Sequence, residues 1–176
     1  MNPRNWKDIV ELVGIGAIVA SLVFVGFQLQ QEREIAVVDT YGSITESTEN
    51  LAELIYDSAD IWQRGLDGEE LSSADRIRFL ALTKAVRIHF ASIYIRWMRI
   101  GPGNPDSVAR SYAYALYIYP GLRQARADYT QGLAAGNVPV QAHFSSRRME
   151  ESVDGFLKEY DNSATPIPAE KTYVFW

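Results

Sequence analysis

The chain has 176 residues and a mass of 19.8 kDa, with 17 Lys and Arg against 22 Asp and Glu, a formal net charge of -5 and no cysteine. That length suits one domain with a modest appendage and excludes a multidomain enzyme. The acidic balance argues against nucleic acid, which needs a concentrated basic face to displace counterions, and zero Cys removes disulfides, thiolate nucleophiles and Cys-ligated metal centres together. Hydrophobic residues make up 47% and aromatics 12%, so the chain is not a disordered one.

From Leu12 to Leu29 the sequence reads LVGIGAIVASLVFVGFQL, 18 residues without a charge, and extending it back to Ile9 adds Glu11 alone. At a rise of about 1.5 Å per residue, about 20 residues cross the roughly 30 Å hydrocarbon core of a bilayer. The segment is therefore read as a transmembrane helix with lipid around it. A cleaved secretory signal would use Met1 to Lys7 as its basic region and Ile18-Val19-Ala20 as its cleavage site, but the apolar run continues well past Ala20. A buried core helix would carry a polar stripe, and only Ser21 and Gln28 interrupt this one. Arg4, Lys7 and the amino terminus precede the segment while Arg33 alone follows closely, which predicts a cytoplasmic N-terminus with residues 31–176 outside the cytoplasm. Wound as a helix, Glu11, Gly14, Ala17, Ser21 and Gln28 share an arc of about 120°. Lipid does not sort residues this way. A second transmembrane helix does, because small side chains permit close approach and Ser or Gln can hydrogen-bond across the contact, so the arc is predicted to face a different subunit or a second copy.

Past residue 30 the polar positions increase, yet a helical rhythm persists through Val38, Tyr41, Ile44, Leu51, Ile55 and Trp62 to a stop at Gly65, Asp67 and Gly68. Leu71-Ser72-Ser73-Ala74-Asp75 supplies a capping serine with an acid three positions on, opening a helix over 73–100. Phe79, Leu82, Val86, Phe90, Ile93, Trp97 and Ile100 form its seam. Gly101-Pro102-Gly103-Asn104-Pro105 is the strongest break, after which Asp106 is predicted to cap a helix ending near Tyr119. Pro120-Gly121 starts another to about Leu133, 134–140 reads as loop, and a last helix covers about 145–160 with Met149, Val153, Phe156 and Leu157 inward. The predicted fold is all-α: an N-terminal segment and transmembrane helix (1–30), an antiparallel bundle of about four to five helices (31–161) and an extended tail (162–176). The tail ends in Tyr173, Phe175 and Trp176, too apolar to be left free in water, and is expected to anchor on the bundle, a partner or the membrane interface.

Charge is partitioned between elements. Residues 31–63 hold eight carboxylates against one arginine, and 73–100 hold six cations against one aspartate, so the two segments are expected side by side. Five of the acids, Glu46, Glu49, Glu53, Asp57 and Asp60, form one helical stripe, either a solvated face that meets the basic helix or a dock for a basic partner or cations. Catalytic signals are missing. His89 and His143 stand in no metal-ligand spacing, no GxSxG nucleophile elbow occurs, and Gly101 and Gly103 have no phosphate-loop context. No catalytic residue, metal site or cofactor is assigned. Tyr112, Tyr114, Tyr117 and Tyr119 spread over several faces of one helix, so they cannot all be core: either the rings pack between helices with their hydroxyls to solvent, or they are the candidate soluble interface or the wall of an apolar pocket.

Glu11, the Ser21-Leu22-Val23 stretch, the Gln28-Leu29-Gln30-Gln31 exit, the Trp62-Gln63-Arg64-Gly65-Leu66 turn, the Leu71-Ser72 cap with Asp75, Arg76 and Phe79, and Pro120-Gly121 with Arg123 together form a pattern. It resembles a broad group of bacterial proteins with one N-terminal transmembrane helix and a helical soluble domain, over roughly residues 9–157. The resemblance implies a prokaryotic inner membrane and this architecture, and brings no activity with it. The functional expectation is a non-catalytic, membrane-anchored accessory subunit or assembly factor of a larger membrane complex. The alternative is a membrane-tethered sensor or ligand-binding helical domain with an aromatic pocket.

Overall fold

The computed structural model describes residues 3–99, 101, 103–134 and 144–163, and among them every regular element is an α-helix. The helices are α1 (Pro3–Tyr56), α2 (Ala59–Leu66), α3 (Ser73–Arg99), α4 (Pro105–Ile118), α5 (Pro120–Ala134) and α6 (Phe144–Ser163). Residues 1–41 and 42–176 form separate compact units, and α1 begins in the first and ends in the second. The division falls later than the loss of apolar character at residue 30, and residues 31–35 are exposed.

In the first unit, every residue from Ile9 to Ile35 is exposed, including Leu12, Val13, Ile18, Leu22, Phe24 and Phe27. Residues this apolar are normally the interior of something. The helix is long and apolar enough to cross a membrane.

The second unit is a helical bundle around a core drawn from all six helices: Leu51 and Ile55 of α1, Trp62 and Leu66 of α2, Phe79, Val86 and Phe90 of α3, Ala109, Tyr112 and Leu116 of α4, Leu122 of α5, and Met149, Val153 and Leu157 of α6. α4 lies against α3, α5 and α6, and its Ala109, Ala113 and Ala115 are wholly buried. Small side chains at those positions let the neighbouring helices close around it.

Local chemistry sets the ends. α1 stops at Tyr56 instead of continuing to Trp62: the Ser58 N–H bonds the Ile55 carbonyl at 3.2 Å, and the turn redirects α2 so that Ile61, Trp62 and Leu66 enter the core. Trp62 meets Phe79 with ring centroids 5.7 Å apart. At α3, Ser72 is the cap, its Oγ accepting from the Asp75 N–H at 3.2 Å while donating to the Asp75 carboxylate at 2.8 Å. At α4 the cap is Asn104, whose Oδ1 accepts from the Asp106 N–H at 2.9 Å. That corrects the expected Asp106 cap: Pro105 occupies the first helical position, where its missing N–H costs nothing, and Asp106 falls inside the first turn. The glycines of the break have a packing role, since a side chain at Gly103 would overlap the Trp97 indole and one at Gly101 would reach 3.1 Å from it.

Candidate functional site

Three places in the fold gather polar chemistry. The first is the seam between the end of α1 and α3. Ser43, Ser47, Leu51 and Ile55 recur every four residues on one face of α1. Arg96 donates to Ser43 Oγ at 2.6 Å, Ser47 Oγ lies 3.0 Å from His89 Nδ1, and Leu51 and Ile55 are buried. The two segments of opposite charge do lie side by side here, but on the α1 side the contact is made by serine hydroxyls and apolar side chains and not by carboxylates. Glu46, Glu49, Glu53, Asp57 and Asp60 are all exposed, and none forms an ion pair among the described residues. Glu46, Glu49 and Glu53 occupy the face of α1 next to the seam, while Asp57 lies in the turn and Asp60 on α2, so the expected stripe is corrected: the five acids are solvated and do not run along one helix. The cations of α3 that do pair turn to α5 and α6, with Arg76 3.6 Å from Asp128 and Arg87 3.4 Å from Glu150.

His89 is buried, and burial first, then the neighbouring Arg96 charge, lowers its pKa from the ordinary 6.5. The unfolded chain therefore takes up a proton that the folded chain resists. The stability from a neutral His89 is fully present above pH 6.5 and is lost as pH falls toward the lowered folded value. Thermal melting of the full chain is expected to drop more between pH 7.5 and pH 5.5 than that of His89→Gln. Equal drops in the two proteins would remove His89 from the account.

The second place is a four-residue charge network joining α3, α5 and α6. Glu150 sits between two guanidinium groups: Arg87 donates to its Oε1 at 3.4 Å, while Arg126 donates to its Oε2 at 3.0 Å from Nε and 2.7 Å from Nη2. Arg126 also lies 2.8 Å from Asp154, one turn along α6 from Glu150. The two arginine side chains are only 15% and 14% exposed. Burial would lower the Arg126 pKa, but Glu150 and Asp154 outweigh it, so the guanidinium is held above its ordinary value and stays charged. Arg87 is further placed by Tyr129, whose hydroxyl accepts from Nη2 at 3.0 Å and whose ring lies 4.2 Å beneath the guanidinium carbon.

The third place adjoins the network. A pocket of about 310 Å³ opens between α3, α4 and α5, with Leu80, Tyr112, Leu122 and Ala125 as apolar wall and Lys84, Arg87, Arg126 and Asp128 as charged lining. Tyr112 is 1% exposed, stacks on Phe90 at 5.1 Å, and has its phenol pKa raised by burial first and then by the Glu150 charge, so it remains a neutral hydroxyl.

The tyrosine group divides. Tyr112 and Tyr119 are buried, while Tyr114 and Tyr117 are half-buried against Tyr160 of α6 at 5.5 and 5.6 Å. The four are not all core, as expected, but none is fully in water: α4 has neighbours on several sides, so side chains leaving it in different directions still meet protein. Apolar side chains that are exposed on the bundle belong elsewhere, Leu54 and Tyr56 at the end of α1 and Ile77 and Ile88 on α3. Sequence periodicity assigned none of them a role: Ile77 and Ile88 each stand between polar neighbours, while Leu54 and Tyr56 flank the buried Ile55. Glu11, Gly14, Ala17, Ser21 and Gln28 are exposed, and a side chain at Gly14 would meet nothing within 4 Å. Tyr173, Phe175 and Trp176 lie outside the described residues, as does His143. No group of three His, Asp or Glu side chains converges among the described residues. Comparison with protein-family models, with curated proteins and with solved structures gives no match to this chain.

Proposed function

We propose that this chain is a single-pass protein of a bacterial inner membrane and serves as a non-catalytic accessory subunit or assembly factor of a larger membrane complex. The observation that carries the reading is the uninterrupted exposure of Ile9 to Ile35 on a helix whose apolar stretch carries no charge from Leu12 to Leu29. Water would penalise that surface by roughly 25 cal/mol for each Å² of apolar area, which a bilayer relieves. The positive residues Arg4 and Lys7 favour a cytoplasmic N-terminus and a periplasmic bundle. Leu54, Tyr56, Ile77 and Ile88 supply exposed apolar contacts for a soluble partner, and the small and polar arc from Glu11 to Gln28 supplies a face for a second transmembrane helix.

Membrane fractionation with alkaline carbonate washing, then gentle detergent extraction and native mass spectrometry, tests both halves of the proposal. The chain is expected in the washed membrane and in a complex heavier than one copy. Leu at both Gly14 and Ala17 is expected to weaken recovery of the partner, whereas Val19→Leu, on the opposite face, leaves it unchanged. Release by carbonate would end the membrane assignment. Recovery only as a lone monomer would end the accessory role.

A second reading, a membrane-tethered ligand-binding domain, draws on the pocket beside Tyr112. Its volume of about 310 Å³ stands at the lower end of the roughly 300–1,000 Å³ usual for small-molecule sites.

A further inference from the structure

The pocket between α3, α4 and α5 has a charge pattern that narrows what it can hold. Its wall is apolar at Leu80, Leu122 and Ala125, with the Tyr112 ring beside them, so the body of an occupant must be hydrocarbon. The charged lining is mostly cationic. Arg87 and Arg126 are compensated from outside the pocket by Glu150 and Asp154, and the lining's Asp128 is compensated by Arg76. Lys84 is left as the lining charge without a carboxylate among the described residues. Arg87 adds a donor: its Nε is buried and has no hydrogen-bond partner, although both of its terminal nitrogens are engaged. A buried N–H left unpaired costs about 1–3 kcal/mol, so an acceptor that reaches it is favoured beyond its charge alone.

We propose that this pocket binds a small amphipathic monoanion, a single carboxylate on a short aliphatic or aromatic body, with Lys84 supplying the counter-charge and the Leu80, Leu122 and Ala125 wall enclosing the hydrocarbon. The proposal rests on the ligand-binding reading and specifies its chemistry. A cation is repelled by Lys84, the one lining charge with no carboxylate paired to it among the described residues. A neutral molecule of the same shape fills the wall and can accept a hydrogen bond, but it leaves the Lys84 charge uncompensated. A dianion brings one charge more than the lining leaves uncompensated.

The test uses three probes of one shape, 3-phenylpropionate, 3-phenylpropan-1-ol and 3-phenylpropylamine, titrated into the full chain in lipid nanodiscs with empty nanodiscs subtracted. The acid is expected to bind at least tenfold more tightly than the alcohol, and the amine not measurably. Lys84→Gln, at an exposed position, is expected to leave melting unchanged and to bring the acid down to within about threefold of the alcohol. Ala125→Phe, which fills the wall, is expected to remove binding of both, with circular dichroism confirming that the bundle is intact. Equal binding of the acid and the alcohol, or an acid affinity unaffected by Lys84→Gln, overturns the monoanion assignment while the pocket remains a ligand site. No binding of any probe to the folded wild-type chain overturns both the assignment and the ligand-binding reading beneath it.

Discussion

Gly121→Ala is expected to cost the bundle about 3 kcal/mol, lowering its melting temperature by roughly 10 °C, although the change adds a single methyl group. A Cβ at Gly121 would overlap the carbonyl oxygen of Gly65 and come within 2.9 Å of the Gly65 carbonyl carbon, so the first turn of α5 meets the last turn of α2 backbone against backbone. A side chain could rotate away from a new methyl, but a carbonyl fixed in a helix cannot. α2 or α5 has to shift as a whole, and Trp62 and Leu66 on one side and Leu122 on the other are all buried in the core that would be disturbed. Gly155→Ala is the matching control. That glycine is an exposed position in α6 with nothing within 4 Å of its added Cβ, so removing its backbone freedom should stabilise by about 0.5–1 kcal/mol. Denaturant titration of both variants separates the two mechanisms by sign. A Gly121→Ala protein as stable as wild type would mean that α2 and α5 are not in contact at these residues.

That contact also marks what the sequence made legible and what it did not. The apolar run of α1, the Ser72 cap, the Gly101–Pro105 break and the Pro120 start are local signals written in consecutive residues, and each becomes an element or a boundary in the structure. The Trp62-Gln63-Arg64-Gly65-Leu66 segment, which folds as the end of α2, and Pro120-Gly121 could be recognised as motifs, but nothing in either one says that they touch, because their meeting is a property of the folded chain. The tyrosines of α4 were only partly legible for a related reason. A helix with one buried face and a helix surrounded by neighbours produce different exposure from the same spacing, and the count of neighbours is not in the segment itself. The acidic spacing was legible over Glu46, Glu49 and Glu53, but not the turn after Tyr56 that parts Asp57 and Asp60 from them, and the seam lay on the adjacent face, where Ser43 and Ser47 gave no apolar signal to reveal it. The charge network escaped altogether, since Arg87, Arg126 and Glu150 come from three helices.

Glu150→Ala is expected to cost the bundle about 2–3 kcal/mol, far more than the same change at the next residue. Glu151 forms an ion pair with Arg147 one turn away at 3.1 Å, but both side chains are mostly in water, 66% and 76% exposed, so Glu151→Ala should change stability by no more than about 0.5 kcal/mol. Glu150 differs in what its loss leaves behind. Arg126 would keep Asp154, whereas Arg87 would lose the carboxylate that compensates it while remaining under Tyr129 in a largely enclosed position. The penalty is that of an uncompensated, half-buried charge, so it should disappear when the charge goes too. In Arg87→Met with Glu150→Met, the Arg126–Asp154 pair persists and two apolar side chains of similar reach replace the ions, and more than half of the lost stability should return. Urea titration of Arg87→Met, Glu150→Met and the double variant gives the coupling directly. If the double variant is destabilised by the sum of the singles, the two residues act independently, and the joining of α3 to α6 must be credited to the apolar contacts of Val86, Phe90, Met149 and Val153 instead.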